Sequence, residues 1–218
     1  MASNTEIANL ALSHIGVGKE IANLDTEKSQ EAVAIRRFYD TLLDRTLRQF
    51  PWPFARKEIA LALVRETPDG EYQFEYRYPT DCVLFRRIKS GLRNDTRQSR
   101  IKYRISRDSS GLLVLTDEQN AESEFTLRET DAGRYPSDFV MAFSFLIAYI
   151  VAPRLTKGDP FKLQRSVLTL FVQEISAARA AAANEEQLDE KPESQFIRER
   201  EGESADGASR QSFLDQFG

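Results

Sequence analysis

One cysteine, one histidine and one tryptophan are all that 218 residues hold of these types. Each scarcity excludes something. Cys82 alone cannot form an intrachain disulfide, so nothing points to an oxidising compartment. His14 alone cannot build an imidazole cluster around a metal, and it leaves Cys82–His14 as the single available thiol–imidazole pairing. The position of His14 near the end of a helix suits packing or capping, and Cys82 suits a small buried hydrophobe. No phosphate-binding glycine loop occurs, because Gly16-Val17-Gly18 lacks a third glycine and a preceding strand. No run reaches the roughly 20 apolar residues of a membrane span. The longest, Phe139 to Pro153 broken only by Ser144, predicts a buried helix, and no membrane contact is expected. The opening Met1-Ala2-Ser3-Asn4 has no basic or apolar signal region, so a signal peptide is not expected. Positive charge is not in excess either. The net charge of -4 gives general nucleic-acid binding no support. Catalytic, metal and cofactor residues are expected to be absent. Carboxylates are abundant, but abundance does not place two across a bond, so a hydrolase with an acidic pair stays open as a minor reading.

What is present is a hydrophobic content of 41% and a charged content of 29%, enough for a core in one large domain or two small ones. Ser3 with Glu6 has capping-box spacing, and Ile7, Leu10, Ala11 and Ile15 give a helix over about 5–15, ended by Gly16 and Gly18. Ile35, Phe38, Tyr39, Leu42, Leu43, Leu47 and Phe50 share one face of a second helix over about 28–50, with Asp25 or Thr26 as its cap. That helix stops at Pro51, and the chain must bury the rings of Phe50, Trp52 and Phe54 where it turns. A third helix follows Pro136-Ser137-Asp138 and runs to about Leu155. A fourth follows Gly158-Asp159-Pro160, carries Val167, Leu168, Phe171, Val172 and Ile175, and ends in alanines.

Between the second and third helices the period changes. Glu71 to Tyr78 alternates polar and aromatic residues, the mark of a strand with one aromatic face. Val83–Phe85, Ile101–Ile105, Leu112–Leu115 and Phe125–Leu127 predict further short strands, with turns at Pro68-Asp69-Gly70, Asn94-Asp95 and Ser109-Ser110-Gly111. The expected fold is therefore α+β. A four-helix bundle (residues 1–54 plus 134–184) would carry a small antiparallel β domain (55–133) inserted in it. An extended acidic C-terminal tail (185–218) would follow.

Two stretches are candidate contact regions. Arg86, Arg87, Lys89, Arg93, Arg97, Arg100, Lys102, Arg104 and Arg107 are nine cations opposed only by Asp95. They could meet phosphates, a solvated surface or an acidic protein neighbour, and they lack the interleaved aromatics of a single-strand platform. In the tail, Glu185 to Asp206 holds nine acidic and three basic residues. There Phe196 and Ile197, then Phe213, Leu214 and Phe217, are the apolar anchors of an arm that orders on a partner.

Three motifs carry a resemblance. Arg36-Arg37-Phe38-Tyr39-Asp40 leading to Phe50-Pro51-Trp52-Pro53-Phe54, Tyr78-Pro79-Thr80-Asp81-Cys82-Val83-Leu84, and Ala152-Pro153-Arg154-Leu155-Thr156 with the alanine-rich end occur in that order. Together they resemble the head-to-tail adaptor proteins of tailed phages, the tail tubular protein A-like family. The resemblance implies a structural virion protein and not an enzyme. Its helical domains would form a dodecameric ring between the portal protein and the tail nozzle protein. That ring would line the channel through which genomic DNA leaves, without sequence-specific binding. Assembly would occur in the host cytoplasm, and the tail anchors would dock on the portal. A nucleic-acid-binding module using Arg86–Arg107 is the alternative.

Overall fold

The computed structural model describes residues 2–66, 70–92, 99–156 and 159–185. In chain order these form α1 (Asn4–His14), α2 (Gln30–Gln49), β1 (Arg56–Ala60), β2 (Leu63–Glu66), β3 (Phe74–Arg77), β4 (Cys82–Ile88), β5 (Tyr103–Asp108), β6 (Gly111–Thr116), β7 (Glu122–Leu127), α3 (Ser137–Leu155) and α4 (Pro160–Asn184). Single 3-10 turns at Pro53–Ala55 and Ala132–Arg134 lead into and out of the strands.

The starts of α1, α2 and α4 follow side-chain chemistry. The Ser3 hydroxyl accepts from the Glu6 amide at 3.1 Å while the Ser3 amide donates to the Glu6 carboxylate at 2.7 Å, so two orphan donors are satisfied together. The cap of α2 is Ser29, which accepts from the Ala32 amide at 3.3 Å, rather than Asp25 or Thr26. Those two amides already donate to Asn23 Oδ1 in a tight turn, at 2.9 and 3.1 Å, so the helix begins later. Asp159 caps α4 by accepting from the Lys162 amide at 3.1 Å, with Pro160 in the first turn.

All three other helices pack on α3. Phe139, Ala142, Phe143, Ile147, Ala148, Val151 and Ala152 are buried there, and the alanines let neighbouring backbones approach. The loop after α1 is drawn into the same core. Asn9 accepts from the Ile21 amide at 2.8 Å and donates to its carbonyl at 2.9 Å, which holds Ile21 and Leu24 beside α1.

The strands form two antiparallel sheets, ordered β1-β7-β4 and β2-β3-β6-β5. Leu61, Tyr76, Phe85, Ile88, Val114 and Ala121 make a small buried cluster of their own. The β5–β6 hairpin turns through Asp108, whose carboxylate accepts from the Ser110 amide at 2.8 Å, and Gly111, whose φ of 141° disfavours any side chain.

This arrangement corrects the expected four-helix bundle with an inserted β domain. The helices gather on α3 as a hub, and the strand region is two sheets of seven strands in a mixed fold, not one small inserted domain. The described residues form one compact unit. The joint is built from both sides. α2 packs on β4, and Val83 of β4 reaches the helical core. Arg48 donates to the Val83 carbonyl at 2.8 Å, and Arg128, just after β7, donates to Asp44 of α2 at 2.7 Å. Hydrophobic periodicity reports the buried face of each element but not which element covers it, so a shared joint reads from sequence as two separate domains.

Candidate functional site

The nine-cation stretch does not form one free basic surface. Arg86 turns inward. Its Nη2 donates to the carbonyls of Phe50 (2.9 Å), Arg48 (3.3 Å) and Leu47 (3.4 Å), and its Nε donates to Thr126 Oγ1 at 2.9 Å. A cation at the negative end of α2 satisfies carbonyls that have no partner within the helix. Burial lowers the Arg86 pKa, but a guanidinium stays charged. Arg87 pairs with Glu124 at 2.7 Å, and Arg56 reaches the same carboxylate at 3.6 Å. Lys89 sits between Glu58 at 2.6 Å and Glu122 at 3.5 Å. The three-stranded sheet therefore pairs Arg56, Arg87 and Lys89 with acids of its own strands. Arg104 pairs with Glu71 at 2.7 Å in an exposed contact. Arg100, Lys102 and Arg107 have no ion-pair partner among the described residues. Arg93 and Arg97 lie outside the described residues.

The aromatic exit is the best-packed of the sequence-derived sites. Trp52 is buried, and its indole N–H donates to the Thr46 carbonyl at 3.0 Å. Its ring meets Phe50 at 5.1 Å, Phe139 at 5.0 Å and Phe54 at 6.0 Å between centroids. Phe50 and Phe54 are half-buried against the same cluster. The tail residues Phe196, Ile197, Phe213, Leu214 and Phe217 lie outside the described residues.

The two residues that carry the only thiol–imidazole possibility have other partners. Cys82 Sγ donates to the Tyr78 hydroxyl at 3.1 Å, and burial pushes its thiol pKa up, away from the nucleophilic thiolate. His14 stacks on Phe145 with ring centroids 3.8 Å apart, and its Nε2 lies 2.9 Å from Ser144 Oγ. Ser144 is buried and gives its own proton to the Met141 carbonyl at 2.7 Å. The imidazole Nε2–H is then the donor in the pair, which pins α1 to α3.

Sequence reasoning missed one surface. On α4, Val167, Phe171, Ile175 and Ala178 face α3, while Phe161, Leu168 and Val172 form a second stripe that faces water. Phe161 is 67% exposed and Val172 56%. The signal was legible as spacing: positions 161, 168 and 172 repeat by seven and four, a seam offset from the one that α3 covers. No protein-family model matches the chain, and no curated protein matches it in sequence.

Proposed function

We propose that this chain is a head-to-tail adaptor of a tailed phage, a virion protein whose copies form a ring between portal and tail nozzle. The observation that carries the reading is the outer stripe of α4. A helix that packs on α3 with one face and leaves Phe161, Leu168 and Val172 in water on another has apolar surface in search of a partner. A ring subunit needs two complementary faces, so that head-to-tail contact closes by rotation. The order of the three motifs, from Arg36–Phe54 through Tyr78–Leu84 to Ala152–Thr156, supports the same reading. Net charge of -4 also suits a channel wall that lets DNA slide without holding its phosphates. Phe196, Ile197, Phe213, Leu214 and Phe217 would supply the portal-docking anchors, and truncation after Asn184 should weaken attachment to the portal.

The test is the double variant Leu168→Glu with Val172→Glu. Both side chains are already exposed, so helix content and melting should stay near wild type. Rings on portal particles of the same virus, counted in electron micrographs, should be lost. Wild-type ring counts in the double variant would remove the observation that carries the proposal.

A further inference from the structure

The four-stranded sheet has β2 and β5 as its outer strands. Its order β2-β3-β6-β5 leaves β2 and β5 without an outer neighbour among the described residues. One cross-strand row runs through it. Leu63 opposes Tyr76, Tyr76 opposes Val114, and Val114 opposes Ile105. Directly opposed residues project from the same face of a sheet. In the middle of the row Tyr76 and Val114 are buried, yet at its ends Leu63 is 50% exposed and Ile105 45%. The row stops at both edges on an apolar side chain half in water.

The strand directions make these edges fit each other. Every adjacent pair is antiparallel, so β2 and β5, the first and fourth strands, run in opposite directions. A second copy set beside the first in the same orientation presents its β2 antiparallel to this β5. The alternation of directions continues, and Ile105 of one copy and Leu63 of the next fall on the same face. Charge agrees with that pairing. Arg100, Lys102, Arg104 and Arg107 line β5 and its approach, where the lone carboxylate, Asp108, is held by Arg77 at 3.1 Å. Among the described residues the β2–β3 arm carries Glu66, Glu71 and Glu75 against Arg65 and Arg77, with Arg65 paired to Glu75 at 2.8 Å within the arm, so it is only slightly acidic. An arginine-bearing edge repels an indiscriminate strand but accepts an acidic one. The irregularity in β2 between Leu63 and Arg65 shortens its regular edge and centres the contact on Leu63.

We propose that β5 of one copy docks along β2 of a second copy, extending the sheet from subunit to subunit with Ile105 beside Leu63 across the boundary. The contact joins two different edges, so it is head-to-tail, and its repetition closes a ring or opens a filament. It rests on the reading of this chain as a ring subunit and names the strands through which neighbours meet. The exposed Arg104–Glu71 pair, which joins the two charge groups within one chain, would exchange partners at the boundary.

The experiment is site-directed cross-linking in the full chain with Cys82→Ala. Leu63→Cys and Ile105→Cys variants are purified separately, mixed, assembled on portal particles and treated with a short bismaleimide. Covalent dimers are expected in the mixture at least tenfold above either variant alone, and the double variant should give a ladder of multimers. Cross-linking of Ile105→Cys with itself at the level of the mixture would overturn the pairing, because it joins like edges. Absence of mixed dimers while micrographs show rings would overturn the strand contact and leave the adaptor reading standing. Mixed dimers without rings would support the strand contact and remove the adaptor reading. Neither dimers nor rings would remove both.

Discussion

Trp52, Phe54, Tyr135, Phe139 and Phe143 form a continuous aromatic cluster beside α3, with contacting centroids 4.9 to 6.0 Å apart. The cluster between the strands buries two large rings, Tyr76 and Phe85, with four smaller side chains. What the strand region lacks in apolar burial it replaces with cross-strand charge. Glu124 lies between Arg56 and Arg87, and Lys89 between Glu58 and Glu122. Apolar burial is proportional to area and is not subject to charge screening. Ion pairs are weak when exposed and fade as salt rises. The helical region should therefore dominate global stability, and the strand region should be the part that ionic strength tunes.

Removing the centre of the aromatic cluster should break the molecule most completely. Trp52→Ala deletes a buried ring and its hydrogen bond to Thr46. A loss of about 3–5 kcal/mol in denaturant unfolding is expected. A loss below about 1 kcal/mol would mean that the cluster relaxes around the gap and that the helical region does not dominate.

The next effect falls on the joint between the two regions. Arg86→Met keeps much of the stem but frees three carbonyls at the end of α2 and Thr126. A loss of about 1.5–3 kcal/mol is expected, the range for hydrogen bonds to a charged group. Hydrogen exchange should rise both in the last turn of α2 and in β7. Exchange that rises in one region alone would show that the guanidinium does not couple them.

A smaller effect separates the regions by pH. Burial holds the His14 pKa below its ordinary 6.5. As pH falls, the unfolded chain takes up this proton before the folded one, so stability is full above about 6.5 and is lost as pH drops below it. His14→Gln should flatten the slope of unfolding free energy between pH 7 and 5.5. An unchanged slope would place the titration elsewhere.

The smallest effect tests the polar side of the comparison. Arg65 and Glu75 pair at 2.8 Å with Arg65 largely in water. Arg65→Ala should cost less than about 1 kcal/mol, and 1 M salt should erase the difference. A larger, salt-resistant loss would mean that the strand region leans on its ion pairs more than their exposure allows.

Legibility in the sequence followed the same division. α1 and α2 announce themselves through three-and-four spacing, α3 through an apolar run from Phe139 broken only by Ser144, and α4 through the apolar residues that follow Gly158-Asp159-Pro160. β3 lay inside the aromatic alternation from Tyr72 to Tyr78, where one face is covered. β1 and β2 gave no signal. Their side chains from Arg56 to Glu66 are mostly exposed on both faces, so no burial imposes a period. The basic stretch looked like one surface because sequence shows charges along a line. The fold places Arg87 and Lys89 against acids 30 or more residues away, and turns Arg86 onto α2. Leu168 and Val172 did not stand out from Val167, Phe171 and Ile175 in the sequence of α4, because hydrophobicity alone does not say which of two adjacent seams is covered.

The most direct test of the ring-subunit account is native mass spectrometry of the purified chain mixed with portal particles of the same virus. The account expects portal-bound assemblies whose added mass is about a dozen times the 24.9 kDa chain, with few intermediate numbers because head-to-tail contacts close. Free monomers beside unaltered portal, at concentrations well above micromolar, would contradict it.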